Sequence, residues 1–425
     1  MIRTLTFLSA VYAGVALTSG GSWVDFLWSA PLIIAAAFLI AWGAEAMQFM
    51  VSQGLALALL AWLQTLPEFA VEADIAWNAA RHTPGYSDHL VTANFTGSIR
   101  LLMGFGMPTV YFIRWWTHRR KGIASSPIAL DPFHSVEIVS LFAPTVYFFF
   151  IVYRGRLDLL DSVILLGFYV MYMWLLLKMP PEEEDESVEE LPRVSRLVLR
   201  KGKVGRVAGV TAIFVGGGAI LYLCVHPFVN SLQALAGLVG ISGYFFIQWI
   251  APFMSEFPEK VSAYSWAMKE GKAKLGLMNF LSSNINQMTM LVAMIPIVYA
   301  ISSGRWNAPI LFTDDQKEEV LLTASQAALC MVLLFNMKFE WWEAVGMFVL
   351  WVVQFTSMIW EDDIGLATHT VRHYSVFINL GWTALEIFLA LLKIRHWDFP
   401  FRMGKALPDV PHNTAALDNR KKSGT

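Results

Sequence analysis

The chain has 425 residues, 56% of them hydrophobic and only 15% charged, with a formal net charge of −2 and a mean hydropathy of +0.51. Soluble domains carry about 25% charged residues, so a soluble globular protein is excluded, and the near-neutral charge gives no reason to expect a nucleic-acid partner. The two cysteines, Cys224 and Cys330, lie in apolar runs and form neither a disulfide framework nor a zinc-site spacing.

The first residues, "MIRTLTFLSAVYAGVALTSGGS", predict an apolar helix over 4–19. Their positive start and small-residue end also fit a signal peptide, but no A-x-A site follows, and a retained helix is the expectation. Apolar helices are predicted next at 28–50, 51–66, 90–113, 136–153 and 157–178. The acidic and then basic stretch "PPEEEDESVEELPRVSRLVLRKGKVGR" reads as a solvated linker over 179–206. Helices follow at 207–228, 232–254, 275–300, 318–337, 341–360 and 374–394, and the polar tail runs over 400–425. Residues 67–81 and 255–270 read as amphipathic helical pieces joined to the apolar segments before them.

This pattern predicts an all-α polytopic membrane protein whose partner is the lipid bilayer, and its 17 Trp suit the interfacial belts. Most of the 31 Lys and Arg fall on one side when the linker and both termini are cytoplasmic, with Arg81, Arg154, Arg156, Arg305, Lys317 and Arg372 on the other. A multi-pass protein of the cell (cytoplasmic) membrane, with both termini inside, is therefore expected. The sequence does not fix an oligomeric state.

The two halves resemble each other. "GLALALLAWLQTLPEFAVEADIAWNAAR" in the first parallels "GISGYFFIQWIAPFMSEFPEKVSAYSWAM" in the second. Each carries Pro-Glu after an apolar run, and each precedes a polar-studded helix: "VTANFTGSIRLLMGFGMP" and "GLMNFLSSNINQMTMLVAMIP". The topology makes the repeats inverted: 28–178 forms one five-helix repeat and 207–360 the other. The segments 1–27 and 361–399 add one helix at each end. Inverted repeats with helices broken at matching places point to a transporter with its site at the midplane.

An ionisable residue inside the membrane is a functional candidate by default. Glu68 and Glu259 are the carboxylates expected to hold a metal cation. Pro67 and Pro258 are expected to free the carbonyls of Leu63 and Met254. Thr65, Ser255, Ser98 and Ser283 offer hydroxyl oxygens, and Asn94, Asn279, Asn284 and Gln287 offer amide oxygens. Calcium takes about 6–8 oxygen ligands of these kinds. The pattern also resembles the calcium/cation antiporter superfamily, the sodium/calcium exchanger fold, whose repeats carry G-T-S-L-P-E and G-N-x-x-G-S-N. Here "LQTLPE" and "ANFTGSI" stand in the first repeat, "MSEFPE" and "MNFLSSN" in the second. The resemblance covers residues 28–360 and implies that the residues just named line calcium and sodium sites.

Departures from that pattern carry charge. Glu256 stands at a small-hydroxyl position, Lys260 follows Glu259, Ile99 and Arg100 replace polar and apolar residues, and Gln64 replaces Thr. Glu256 and Lys260, four apart, are expected to neutralise each other; the other reading makes Lys260 a tethered cation in the site. Arg100 is expected to pair with Glu72 or Asp74, or to repel sodium.

Elsewhere, Glu45 is expected at a membrane interface, and Asp131, His134 and Glu137 in a loop and helix start rather than on a metal face. The "EEEDE" run reads as solvated linker, and His369 and His373 in "HTVRH" match no zinc motif. The expected function is secondary-active antiport of Ca2+, or another divalent cation, for Na+ or H+ by alternating access. A non-transporting scaffold or sensor, with Arg100 and Lys260 filling the site, is the other reading. No nucleophile or metal-hydrolase motif supports an enzyme, and no cofactor is called for.

Overall fold

A computed structural model describes residues 22–50, 63, 65–124, 126–178, 191–359, 367–395 and 397. The expected helix at 4–19, nearly all of that at 51–66, Gln64, the "EEEDE" run and the tail from 400 lie outside the described residues.

The first half contains α1 (Phe26–Gln48), α2 (Leu66–Ala80), α3 (Asp88–Leu101), α4 (Met107–Arg120), α5 (Ser135–Ser140), α6 (Phe142–Arg154) and α7 (Leu159–Lys178). A π-helical turn, Leu102–Gly106, joins α3 to α4. After α8 (Arg193–Leu199) and α9 (Lys203–Val239), the second half runs through a short helical turn Gly243–Phe245, a π turn Phe246–Ile250 and α10 (Ala251–Ser255). It continues with α11 (Phe257–Met268), α12 (Ala273–Asn286), a π turn Gln287–Leu291, α13 (Val292–Ser303), α14 (Asp314–Leu333), α15 (Trp341–Ile359) and α16 (Ala367–Leu391). Among the described residues, eight helices are long and apolar enough to cross a membrane.

The packing exchanges the halves. Helix α1 packs along α9; α2 packs on α13 and α9 just as α11 packs on α4 and α1; α7 packs on α13 as α15 packs on α4. Strands β1 (Ile128–Ala129), β2 (Arg156–Leu157), β3 (Ile310–Leu311) and β4 (Lys338–Phe339) form two antiparallel ladders, β1 with β4 and β2 with β3. Each ladder ties one half to the other at matching loops, as inverted repeats require. Apolar side chains such as Phe95, Phe148, Phe228, Trp249 and Phe280 fill the common core.

Two expectations need correction. The break placed near residue 230 does not exist: α9 runs unbroken for 37 residues, about 55 Å at 1.5 Å per residue, well beyond the roughly 30 Å hydrocarbon core. Pro227 sits inside it, because a membrane helix tolerates the loss of one backbone bond. Gly240, with φ of +71°, ends it in the left-handed conformation that glycine adopts without strain. The linker also orders before its end. Leu191, Val198 and Leu199 bury against Ala46 and Val210, and the Ser195 hydroxyl donates to the Trp42 carbonyl (3.0 Å) and to Glu45 (3.3 Å).

Gly97 on α3 sits where the backbone of the other half comes close. A Cβ there would lie 1.9 Å from the Gln248 carbonyl oxygen, a backbone atom that cannot step aside. Replacing Gly97 with Leu is expected to abolish recovery of monodisperse protein in detergent. Replacing Gly167, which has open space around its Cβ position, is expected to leave the size-exclusion profile unchanged.

Candidate cation site

Both halves start a new helix at the same motif, and in the second half the break from the preceding helix is sharper than the sequence implied. Pro67 and Pro258 do not sit inside continuing helices. A new helix starts at each motif, α2 with Thr65 at its N-cap position and α11 just after Glu256, which separates it from α10, and each proline lies in the new first turn. A proline there loses no helical bond, because first-turn N–H groups have no helical partner. The carbonyls closing α10 are the orphans of a helix C-terminus. Leu63 is buried just before the first break. The Met254 carbonyl shares the Glu256 N–H with that of Pro252. Glu68 and Glu259 lie in the first turns of α2 and α11, at the positive ends of the helix dipoles, where carboxylates are favoured.

The inward faces converge. Glu68 is 1% exposed and Glu259 2%. Gln287, at the start of its π turn, donates to Glu68 Oε2 (2.7 Å) and to Glu256 Oε1 (2.8 Å), so one amide bridges the two repeats. Ser98 on α3 donates to the same Glu256 oxygen. Ser283 on α12 donates to Glu259 Oε2 (2.7 Å). Glu68 feels the charges of Glu256 and Glu259, and Glu259 those of Glu256 and Lys260. Lys260 Nζ lies 2.6 Å from Glu256 Oε2, and both are buried, so the expected i, i+4 pair is present. Three carboxylates and one ammonium leave the cluster a formal charge of −2.

Neither Glu68 nor Glu259 makes an ion pair with a basic side chain among the described residues. Glu68 Oε1, Glu259 Oε1, Gln287 Oε1 and Asn284 Oδ1 are buried oxygens with no hydrogen-bond partner among the described residues. Such groups cost free energy unless something else satisfies them, and all four are acceptors. That is the donor chemistry of a hard cation site.

Other expected site residues are placed differently. Asn94 donates to Glu72 Oε2 (2.6 Å), one turn beyond Glu68 on α2. Asn284 donates back to the Phe280 carbonyl (2.9 Å), and Ser255 to that of Pro252 (3.4 Å). Asn279 is half-buried. Thr65 is buried at the break. Glu72, fully buried with one oxygen unsatisfied, was missed as a site residue, although its i+4 spacing from Glu68 signals a shared face.

Arg100 pairs with neither Glu72 nor Asp74. It pairs with Glu319 on α14, donates to Gln354 on α15 (3.3 Å) and lies over the Trp249 ring. Glu319 also meets Arg372 on α16 (2.7 Å) and accepts from Gln248 (2.8 Å). The guanidinium thus turns away from the carboxylate cluster into a partnership the sequence could not reveal, since Arg100 and Glu319 come from opposite repeats. Removing one member strands a buried charge, a cost of about 3–5 kcal/mol. The Glu319→Gln variant is expected to unfold well below the wild type in detergent, and the Arg100→Met/Glu319→Leu pair to recover only part of the loss, because Arg372 loses Glu319 as well; equal stability of all three contradicts this role.

Asp131, His134 and Glu137 do not converge: Asp131 pairs with Lys274, His134 Nδ1 accepts the Asp131 N–H (3.0 Å), and Glu137 accepts from Ser282 (3.4 Å). Both cysteines are free.

Two inverted membrane repeats that bury acidic side chains at matching helix breaks define a polytopic cation transporter. The sequence matches the family described as sodium/calcium exchanger protein over residues 21–178 and 209–360, and the chain belongs to that family. Among solved structures it is similar to the H+/Ca2+ exchanger CAX, with 30% identity over 95% of each chain and a TM-score of 0.81. It also shares its fold with native YfkE, at 15% identity and a TM-score of 0.58 over 82% of this chain and 95% of that one. No curated protein sequence matches the chain.

Proposed function

We propose that the protein is a secondary-active antiporter that exchanges Ca2+ for H+ across the cell membrane by alternating access. The observation that carries this reading is the pair of buried carboxylates, Glu68 and Glu259, each with an unsatisfied oxygen and no ion-pair partner among the described residues. A lone carboxylate at mid-bilayer costs about 2.5–3.5 kcal/mol on insertion scales, so an empty −2 site resists reorientation. One Ca2+ or two protons neutralise it, and that equivalence is the physical basis of antiport. Glu68 and Glu259 bind the metal ion, and the rest of a shell of about 6–8 oxygens comes from among Thr65, Ser98, Ser283, Asn284 and Gln287 and the Leu63 and Met254 carbonyls, without need of Asn94, Ser255 or Asn279.

Two observations favour protons over sodium as the counter-ion. The Glu256–Lys260 pair occupies a position where the sodium-coupled pattern has a small hydroxyl, so one sodium ligand is replaced by an internal ion pair. The solved structure similar over 95% of both chains is an H+/Ca2+ exchanger. The non-transporting reading needs Arg100 and Lys260 to neutralise Glu68 and Glu259, whereas Arg100 pairs with Glu319 and Lys260 with Glu256. The Lys and Arg bias supports cytoplasmic termini.

Reconstituted vesicles test the assignment. Ca2+ accumulation driven by an imposed pH gradient, without sodium, is the expected outcome; accumulation only under a sodium gradient would replace the proton by sodium.

A further inference from the structure

At the end of the molecule where α14 and α16 begin, a second group of metal-ligating side chains is assembled, far along the chain from Glu68 and Glu259. His369 and His373 stand one turn apart on α16, their rings stacked with centroids 6.2 Å apart. Glu318 of α14 lies between them: His369 Nε2 is 3.3 Å from Glu318 Oε2, and His373 Nδ1 is 3.2 Å from Glu318 Oε1. Asp315 sits one turn earlier on α14, and ligand atoms of Asp315, Glu318 and His369 all lie within 4.8 Å of one another. The Glu318 side chain is only 11% exposed, and its Oε2 is buried without a hydrogen bond.

The chemistry of this set is specific. Two imidazoles and two carboxylates bring a formal charge of −2, matching a divalent ion. Nitrogen donors favour zinc-like metals over calcium, which prefers an all-oxygen shell. In tetrahedral zinc with bonds near 2.0–2.1 Å, neighbouring ligand atoms are about 3.3 Å apart, the spacing of His369 Nε2 from Glu318 Oε2, and Asp315 completes a group of three within 4.8 Å. Helices α14 and α16 run in parallel here: Arg372 reaches Glu319 beside this group, and Asn379 donates to Ser325 (3.2 Å) further along.

We propose that Asp315, Glu318 and His369 bind a Zn2+-class divalent cation that clamps the added helix α16 to α14, with His373 orienting Glu318 through its other carboxylate oxygen. The site is distinct from the transport site and needs no ion transport to operate. Calorimetric titration of the full chain in detergent with ZnCl2 is expected to show one ion per chain. His369→Ala and Glu318→Gln are expected to weaken it by more than the roughly 10–100-fold that losing even an outer-shell partner costs, while His89→Ala and Glu68→Gln leave it unchanged. Zn2+ is also expected to raise the unfolding temperature of the wild type but not of His369→Ala, and Co2+ is expected to give the visible bands of a tetrahedral site. No zinc binding, equal binding in wild type, His369→Ala and Glu318→Gln, or loss of binding in Glu68→Gln would overturn the proposal; the contacts would then be imidazole–carboxylate pairs alone, or the ion would sit in the transport site.

Discussion

Replacing Glu68 or Glu259 with Gln is expected to reduce gradient-driven Ca2+ uptake into vesicles to the level of protein-free liposomes. The substitution keeps the side chain's shape and removes one negative charge. The cluster then carries −1, which neither a single Ca2+ nor a pair of protons neutralises. The ion also loses a carboxylate from a shell that must compensate for its dehydration. Glu68 retains a neighbour able to reorient, since the Gln287 amide that donates to Oε2 also has an unsatisfied buried oxygen. Protein yield and size-exclusion behaviour are therefore expected to remain near wild type, separating a lost ligand from a lost fold. Calorimetry with CaCl2 checks binding directly, and wild-type uptake by either variant contradicts the assignment of these carboxylates.

Replacing Lys260 with Met is expected chiefly to destabilise the protein, with only a modest rise in Ca2+ affinity as the cluster goes from −2 to −3. Lys260 and Glu256 are both buried, with 2.6 Å between ammonium and carboxylate. Removing one partner of such a pair costs about 3–5 kcal/mol, because the other charge is left uncompensated. Glu256 also accepts from Ser98 and Gln287, so the disturbance reaches the residues that orient Glu68. The double replacement Glu256→Gln/Lys260→Met is expected to recover most of the stability, as removal of a whole buried pair does. A large rise in Ca2+ affinity in Lys260→Met would instead make the lysine a tethered cation competing for the site.

The repeats were legible because they rest on local signals: two Pro-Glu pairs, each before a helix with Asn and Ser at matching spacing, inside runs too apolar for a soluble chain. The i, i+4 pairing of Glu256 with Lys260 was legible for the same reason. The site's bridging was less so. Gln287 reaches Glu68 through a π turn that shifts the helix face presented to the centre, and no spacing rule for a regular helix anticipates that shift. Arg100 was misassigned because its natural candidates were nearby acids, whereas the fold delivers Glu319 from the opposite repeat. The boundary near residue 230 failed because Pro227 reads as a helix breaker in water and is tolerated in a membrane helix, while the true stop, Gly240, is one glycine among 29.

Coupled flux in sealed vesicles containing the purified protein measures the central claim most directly. With an inward-acid pH gradient and no sodium, Ca2+ is expected to accumulate, with about two protons leaving per ion taken up, as the −2 cluster requires. Failure of Ca2+, manganese or magnesium to move under either a pH or a sodium gradient, with wild type and Glu68→Gln indistinguishable, would contradict it.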